Sequence, residues 1–316
     1  MKNMLADWRK LSEAGVLGLN ARNGDFIMRF NQRKRYPLVD DKVLCKKVLL
    51  EHGMPTPEQI GVISRNADSG KLAEYLHGIQ EFVIKPANGS GGDGILVIAG
   101  LVKDLYRCVD GRLFDGQEVA HHLTNVISGL YSLGGQPDAA LLEALVKFDP
   151  VFGQIAHQGV PDIRVIVFRG VPVMSMVRLP TRLSHGKANL HQGAIGAGIC
   201  LSTGRTTGGV LGNQRVNEHI DTGASIVDFE IPHWNDILRM SSQCYDAIEL
   251  GYLGVDIVLD RDRGPLILEL NARPGLNIQI ANRVGLRQRL ERVVAADAAS
   301  LDHTDRAAWA RDNFSR

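Results

Sequence analysis

The stretch VIKPANGSGGDGILV, residues 83–97, spells G-x-G-x-x-G through Gly89, Ser90, Gly91, Gly92, Asp93 and Gly94. A dinucleotide-binding fold needs a helix to open directly after such glycines, so that its N-terminus meets a pyrophosphate. Here Ile95, Leu96, Val97 and Ile98 follow, an apolar and largely β-branched run that predicts a strand. A Walker-type loop fails as well, because its lysine closes the motif whereas Lys85 precedes the glycines. A β-hairpin remains, with a lysine at the end of its first strand. Its backbone N–H groups can cradle phosphates, although an ordinary glycine-rich turn has the same letters. Lys85 favours the cradle, since an ammonium in an apolar strand is costly unless it snorkels or meets an anion.

A second stretch, GVDIVLDRDRGPLILELNARPG at 254–275, reads as two strands around the turn RDRG. Pairing Asp260 with Pro265 would set Asp256 directly opposite Glu269, and the two-residue period puts Asn271 on the face of Glu269. Adjacent carboxylates repel unless a cation lies between them. Asp, Glu and Asn form a hard oxygen set suited to Mg²⁺ held against phosphates. The competing reading is a solvent-facing strand end, but LILELN sets its carboxylate inside an apolar run.

Outward from these stretches the chain reads as an ordinary globular protein of 316 residues, 44% hydrophobic and 22% charged. Its net charge of +1 gives no electrostatic reason to expect nucleic acid or an anionic membrane. Cys45, Cys108, Cys200 and Cys244 are scattered without metal or redox spacing, which fits thiols in a reducing cytoplasm. Neither a signal-peptide core nor a membrane-length apolar run is visible, so a cytoplasmic location is expected.

Asp40 or Asp41 can cap a helix in which Leu44 and Val48 share a face and which Gly53 stops. Residues 69–78 predict a second short helix and 117–134 a longer one. EFVIKP, GILVIAG and AALLEALV predict strands. From residue 161 the chain turns mainly to strands, DIRVIVFRG, VPVMSMVRLP and GAIGAGICLSTG, then a helix over 233–250, then the two strands around RDRG. The tail from Val284 reads as helical. Two successive groups of mixed elements predict an α+β chain with two lobes.

Arg164, Arg178 and Asn189 lie on or beside the middle strands. Fixed guanidinium groups can hold a transferring phosphoryl group or a carboxylate, and structural ion pairing is the competing reading for each. Asp221–Ser225 spells DTGAS, but an aspartic protease needs two such aspartates sharing a proton. With no second copy, an Asp–Thr–Gly turn is the expectation. His121 and His122 fit no metal spacing.

In order and spacing, LVDDK, HGMPTP, FVIKPANGSGGDG, LLEALV, DIRVIVFRGVPV, RLP, NLHQGA, GVDIV and LELNARPG resemble an ATP-grasp enzyme, most nearly the alpha-L-glutamate ligase-like (RimK-like) branch. The resemblance covers about residues 38–292. It implies the ATP-grasp fold, two α+β lobes clasping ATP: an N-terminal extension over 1–40, a joining helix over 41–57, a small lobe over 58–145, a large lobe over 146–295 and a tail over 296–316. It implies that Lys42 and Lys85 contact ATP phosphates, that residues 89–94 form a mobile flap, and that the backbone of Glu143, Ala144 and Leu145 meets adenine. Asp256, Glu269 and Asn271 would bind two Mg²⁺ ions, with Mn²⁺ as an alternative. Arg178 and Asn189 would face the γ-phosphate, with Arg164 beside them, and Arg273 would meet a substrate carboxylate.

The implied chemistry is ATP-dependent joining of a carboxylate to an amine, of an amino acid or peptide, through an acylphosphate. Such phosphoryl transfer needs positioning and charge neutralisation rather than a side-chain nucleophile. About 40 residues precede the first matching helix, fewer than the N-terminal domain such ligases carry, so a partner protein or second subunit is an expected complement. The segment 198–232 is longer than in the simplest ligases and resembles sugar-transfer-associated ATP-grasp proteins. An ATP-binding phosphotransferase, or a nucleotide-sensing subunit of a larger assembly, is the alternative function.

Overall fold

A computed structural model describes residues 9–89 and 91–315, so Ser90 of the predicted flap lies outside the described residues. The chain divides into two compact units, Pro37–Lys147 and a second made of Met1–Tyr36 with Phe148–Arg316. Each holds one sheet with helices, and the strand pairings are antiparallel, as the α+β reading requires.

After one helical turn, Pro37–Asp40, the Pro37–Lys147 unit continues into helix α1 (Lys42–Glu51), capped by Asp41, whose carboxylate accepts from the N–H groups of Val43 and Leu44. Its buried residues are Cys45, Lys46 and Leu49, so the inward face is turned by about one residue from the predicted Leu44–Val48 face. Strands β1 (Gln59–Ile63), β2 (Glu81–Pro86), β3 (Leu96–Val102), β4 (Leu105–Cys108) and β5 (Leu113–Phe114) follow, then α2 (Gly116–Ile127) and β6 (Ala140–Ala144). The sheet order is β1-β6-β2-β3-β4-β5. The helix expected over 69–78 is a 3-10 segment, Asn66–Lys71, running into one α-turn, Leu72–Tyr75. Phe82, Ile84, Ile98, Val119, Leu123 and Leu142 form the core of this unit.

β2 and β3 pair from Glu81–Ala99 to Ile84–Leu96, so the glycines do close a hairpin and no helix follows them. Both stems of the loop are fastened. The buried Asp138 carboxylate accepts from Asn88 N, Asn88 Nδ2 and Ser132 Oγ, and Gly89 bridges Ser132. On the far side the His122 ring bonds the Gly94 carbonyl at 3.0 Å. Gly94 has φ +74°, and a Cβ there would lie 2.5 Å from the Tyr131 ring, so only glycine fits.

In the second unit the N-terminal segment is built into the core. Leu17, Phe26 and Ile27 are buried, Asn31 brackets Tyr252 with two hydrogen bonds, and Arg22 donates to Pro274 O at 2.8 Å. The sheet runs β11-β10-β9-β8-β7-β13-β14, with β12 on β10. The strands are β7 (Asp162–Phe168), β8 (Val171–Leu179), β9 (Ile195–Ile199), β10 (Arg205–Leu211), β11 (Gln214–Val216), β12 (Val227–Glu230), β13 (Tyr252–Asp260) and β14 (Gly264–Asn271). Helices α3 (Trp234–Ile248), α4 (Asn277–Asn282), α5 (Arg287–Ala295) and α6 (His303–Asn313) pack on it. No helix among the described residues is long and apolar enough to cross a membrane.

The β13–β14 turn corrects one sequence expectation. Asp260 pairs with Gly264 and Leu259 with Pro265, one residue away from the expected register. A bulge beyond Ile257–Ile267 then absorbs Leu268, and Asp256 does face Glu269.

Candidate active site

Register builds the polar face of the second unit. Asp162 pairs with Arg178, Arg164 with Asp256, Asp256 with Glu269, and Gly254 with Asn271. Directly opposed residues in antiparallel strands point to the same side, and so do residues two apart. Six polar side chains from four strands therefore share one face of the sheet. Gly254 and Gly196, opposite Asn271 and Arg178, add no side chain, and a Cβ at Gly254 would sit 2.6 Å from Pro274.

Asp256, fully buried, is the hub. Arg164 donates to both of its oxygens, at 2.7 and 2.5 Å, and Arg178 donates to Oδ2 at 2.9 Å. Arg178 also forks onto both oxygens of Asp162. Asn271 Nδ2 lies 3.3 Å from Asp256 and 3.4 Å from Glu269. Burial would push the Asp256 carboxyl up, but Arg164 and Arg178 hold it well below the usual carboxylate range. Burial pushes Asp162 up to about 6 against the pull of Arg178, with Asp256 adding repulsion. Burial would lower the Arg178 guanidinium, yet Asp162 and Asp256 raise it, so it stays charged.

Asn189 is on the β8–β9 connection, where its side-chain oxygen accepts from His191 N at 3.0 Å and caps a short 3-10 turn. Arg273 is exposed and stacks over the Tyr36 ring at 4.7 Å. Neither side chain joins the Asp256 cluster through a hydrogen bond. The DTG segment forms a turn, with the Asp221 carboxylate accepting from Arg182 N at 2.7 Å. Next to it the buried His219 bonds Pro180 O at 2.9 Å and receives Asp221 N at its other nitrogen. This turn thus fastens the connection that follows Arg178, a role that the motif's letters do not suggest.

The other unit holds a cationic cluster. Lys85 on β2 and Glu143 on β6 are diagonal neighbours, since Val83 pairs with Glu143 and Lys85 with Leu141. Lys85 Nζ is 2.5 Å from Glu143 Oε2, both groups buried. Lys46 of α1 reaches the other oxygen, Oε1, and also donates to Pro57 O. Lys42, one turn earlier, donates to Gly89 O at 2.5 Å, at the root of the glycine loop. Ala144 and Leu145 continue from Glu143, half-buried, with Ala144 N donating to Glu58 O. Gly91 and Gly92 have positive φ and open space around them, and Asp93 lies between them and Gly94. Lys46 is a residue that sequence reasoning missed; His122, considered there only for metal spacing, instead holds the Gly94 carbonyl. The apolar spacing of α1 would turn Lys46 toward solvent, so the sequence carried no signal for it.

Among the described residues no group of three or more His, Cys, Asp or Glu could hold a metal ion. A divalent ion would need the asparagine in its donor set. Glu269 and Asn271 fit that requirement: both are half-buried, adjacent on β14, and the amide lies between the two carboxylates, where its rotation would present oxygen instead of nitrogen. Asp256 stands third in the row, but both of its oxygens are taken by Arg164 and Arg178, so it backs the pair rather than presenting a free ligand oxygen.

No curated protein matches the sequence. Among solved structures, the ATP-grasp ligase PsnB complexed with a minimal precursor has a TM-score of 0.48 at 14% identity, covering 84% of this chain and 62% of that one. The D-cycloserine synthetase DcsG gives 0.47 at 12% identity, with 88% and 72% covered. A D-alanine–D-alanine ligase from Bacillus anthracis complexed with ATP gives 0.46 at 17%, with 90% and 68% covered. The chain therefore spans 62% of the length of PsnB. A family model for sugar-transfer associated ATP-grasp proteins matches residues 21–295, a span that contains both polar clusters. On that match the chain belongs to the sugar-transfer associated ATP-grasp family.

Proposed function

We propose that the protein is an ATP- and Mg²⁺-dependent carboxylate–amine ligase that forms an amide bond through an acylphosphate, with L-glutamate among the candidate amino-acid substrates. The observation that carries this reading is the single face on which Arg164 and Arg178 are fixed by carboxylates beside Glu269 and Asn271. Phosphoryl transfer needs fixed charges more than covalent help, and this face supplies them.

In this reading Lys42 and Lys85 bind phosphate oxygens, and the glycine loop offers backbone N–H groups. The backbone from Glu143 to Leu145 receives the adenine. Glu269 and Asn271, backed by Asp256, would hold Mg²⁺, which when bound supplies charge neutralisation at the phosphate oxygens. One or two ions, or Mn²⁺, are compatible with an oxygen donor set. Arg178 and Arg164 need little reorganisation as charge develops, because Asp162 and Asp256 already orient them. Asn189 adds a polar group on the connection after Arg178. Arg273, exposed on its aromatic support, is the candidate for the substrate carboxylate. The substrate carboxylate attacks the γ-phosphorus and releases ADP. The amine then attacks the acylphosphate carbonyl, releasing phosphate and one proton.

Hydroxylamine trapping tests this directly. With ATP, Mg²⁺ and a panel of amino acids and peptides, a carboxylate substrate should yield a hydroxamate and one equivalent of ADP. ADP formation without hydroxamate across the panel would overturn the ligase reading. Glu269→Gln should abolish Mg²⁺-dependent ADP formation, and retained turnover would remove the metal assignment.

A further inference from the structure

Lys46, Glu143 and Lys85 form a dry triad. Their side chains are 5%, 3% and 7% exposed, and the carboxylate divides itself, one oxygen to each ammonium. Two positive charges and one negative leave the triad with a surplus of one. Burying an ion is costly unless opposite charge compensates it, so an arrangement of two lysines per carboxylate is suited to an incoming anion. The division of the carboxylate matters too. Lys46 pairs in charge with Oε1 without the geometry of a hydrogen bond, and Glu143 engages Lys85 through Oε2. Lys46 is itself held by the Pro57 carbonyl. It lies one helical turn beyond Lys42, whose ammonium sits at the root of the glycine loop.

We propose that Lys46 is a positioning residue for polyphosphate binding. By holding one oxygen of Glu143 it keeps the carboxylate from closing over Lys85, and it supplies the positive surplus that an adenine nucleotide's phosphates neutralise. The inference rests on the nucleotide reading above and adds a residue that acts through Glu143 and Lys85. Removing Lys46 alone leaves a neutral Glu143–Lys85 pair. Removing Lys46 together with the charge of Glu143 leaves Lys85 unpaired and restores the surplus.

The test is calorimetric binding of ADP and of adenosine to the full chain and its variants. Lys46→Met should weaken ADP by about tenfold or more, as expected for loss of a nearby buried charge, while adenosine affinity is unchanged. Lys46→Arg should keep most of the ADP affinity, and Lys46→Met/Glu143→Gln should recover the ADP-to-adenosine ratio toward the wild-type value. A Lys46→Met protein that binds ADP as tightly as wild type overturns the role, as does an equal loss of ADP and adenosine. Should Lys46→Met not fold, the double variant decides: a ratio still collapsed despite the restored surplus overturns the charge argument. Wild-type protein that binds neither compound overturns the nucleotide reading, and this inference with it.

Discussion

Replacing Arg178 by Met separates the structural and chemical parts of its position. The guanidinium satisfies both oxygens of Asp162 and one of Asp256, with only 13% of the side chain exposed. Its removal leaves Asp162 buried without its partner, and breaking a buried ion pair costs about 3–5 kcal/mol. Asp256 retains two bonds from Arg164, so most of the cost should come from Asp162. The double variant Arg178→Met/Asp162→Asn removes the stranded charge and should be about 2 kcal/mol more stable than Arg178→Met alone, a coupling typical of contacting charges. Chemical denaturation of wild type, both single variants and the double variant gives the cycle. Turnover should not follow stability: if Arg178 meets the transferring phosphoryl group, the double variant stays inactive although its fold is restored. A single variant within about 1 kcal/mol of wild type, or strictly additive costs, would refute the buried-pair argument. A double variant with wild-type turnover would make Arg178 purely structural.

Two further perturbations address the glycine loop and the DTG turn. Burial lowers the His122 imidazole below its ordinary value, against the Gly94 carbonyl bond that would raise it. The unfolded chain therefore takes up a proton there while the folded chain does not, and stability falls as pH drops through the ordinary histidine range near about 6.5. In His122→Gln that part of the acid sensitivity of the denaturation midpoint should vanish; an unchanged pH profile would contradict the assignment. His219→Ala removes the bond to Pro180 O and the acceptor for Asp221 N, at a cost of about 1–3 kcal/mol. Amides of residues 181–189 should then exchange faster with solvent, and unchanged protection would show that the DTG turn does not fasten that connection.

The elements that announce themselves locally were legible in the sequence. The β-branched run after Gly94 rejects a helix, and the structure puts β3 there. Asp41 caps the helix that its position predicts. The alternation in LILELN gives the shared face of Glu269 and Asn271. What stayed hidden depends on partners remote in sequence. Arg164 and Arg178 stood out as charged residues in apolar strands, but their attachment to Asp256 requires the register of β7 against both β8 and β13. Asp162 was invisible as a site residue for the same reason. Strands β10, β11 and β12 lie in a stretch rich in Gly, Thr and Asn, whose composition favours turns over sheets. Lys46 needed the exact inward face of α1, which apolar spacing placed about one residue away. The fold class and the family resemblance came through because they rest on the order of short motifs rather than on any one register.

The bulge at Leu268 makes the β13–β14 hairpin sensitive to odd and even numbers. From the tip, Asp260 with Gly264 fixes one counting frame, and the bulge shifts that frame by one before Glu269. Without the shift, Leu268 would oppose Asp256, and Glu269 would move to the opposite side of the sheet with Val255 as its neighbour. A change of one residue within β14 between Gly264 and Glu269, outside the turn, therefore flips the carboxylate out of its face unless the bulge disappears at the same time. Length changes in this hairpin are viable in pairs, or paired with loss of the bulge, and a single insertion or deletion here is a switch from a polar face to an apolar one.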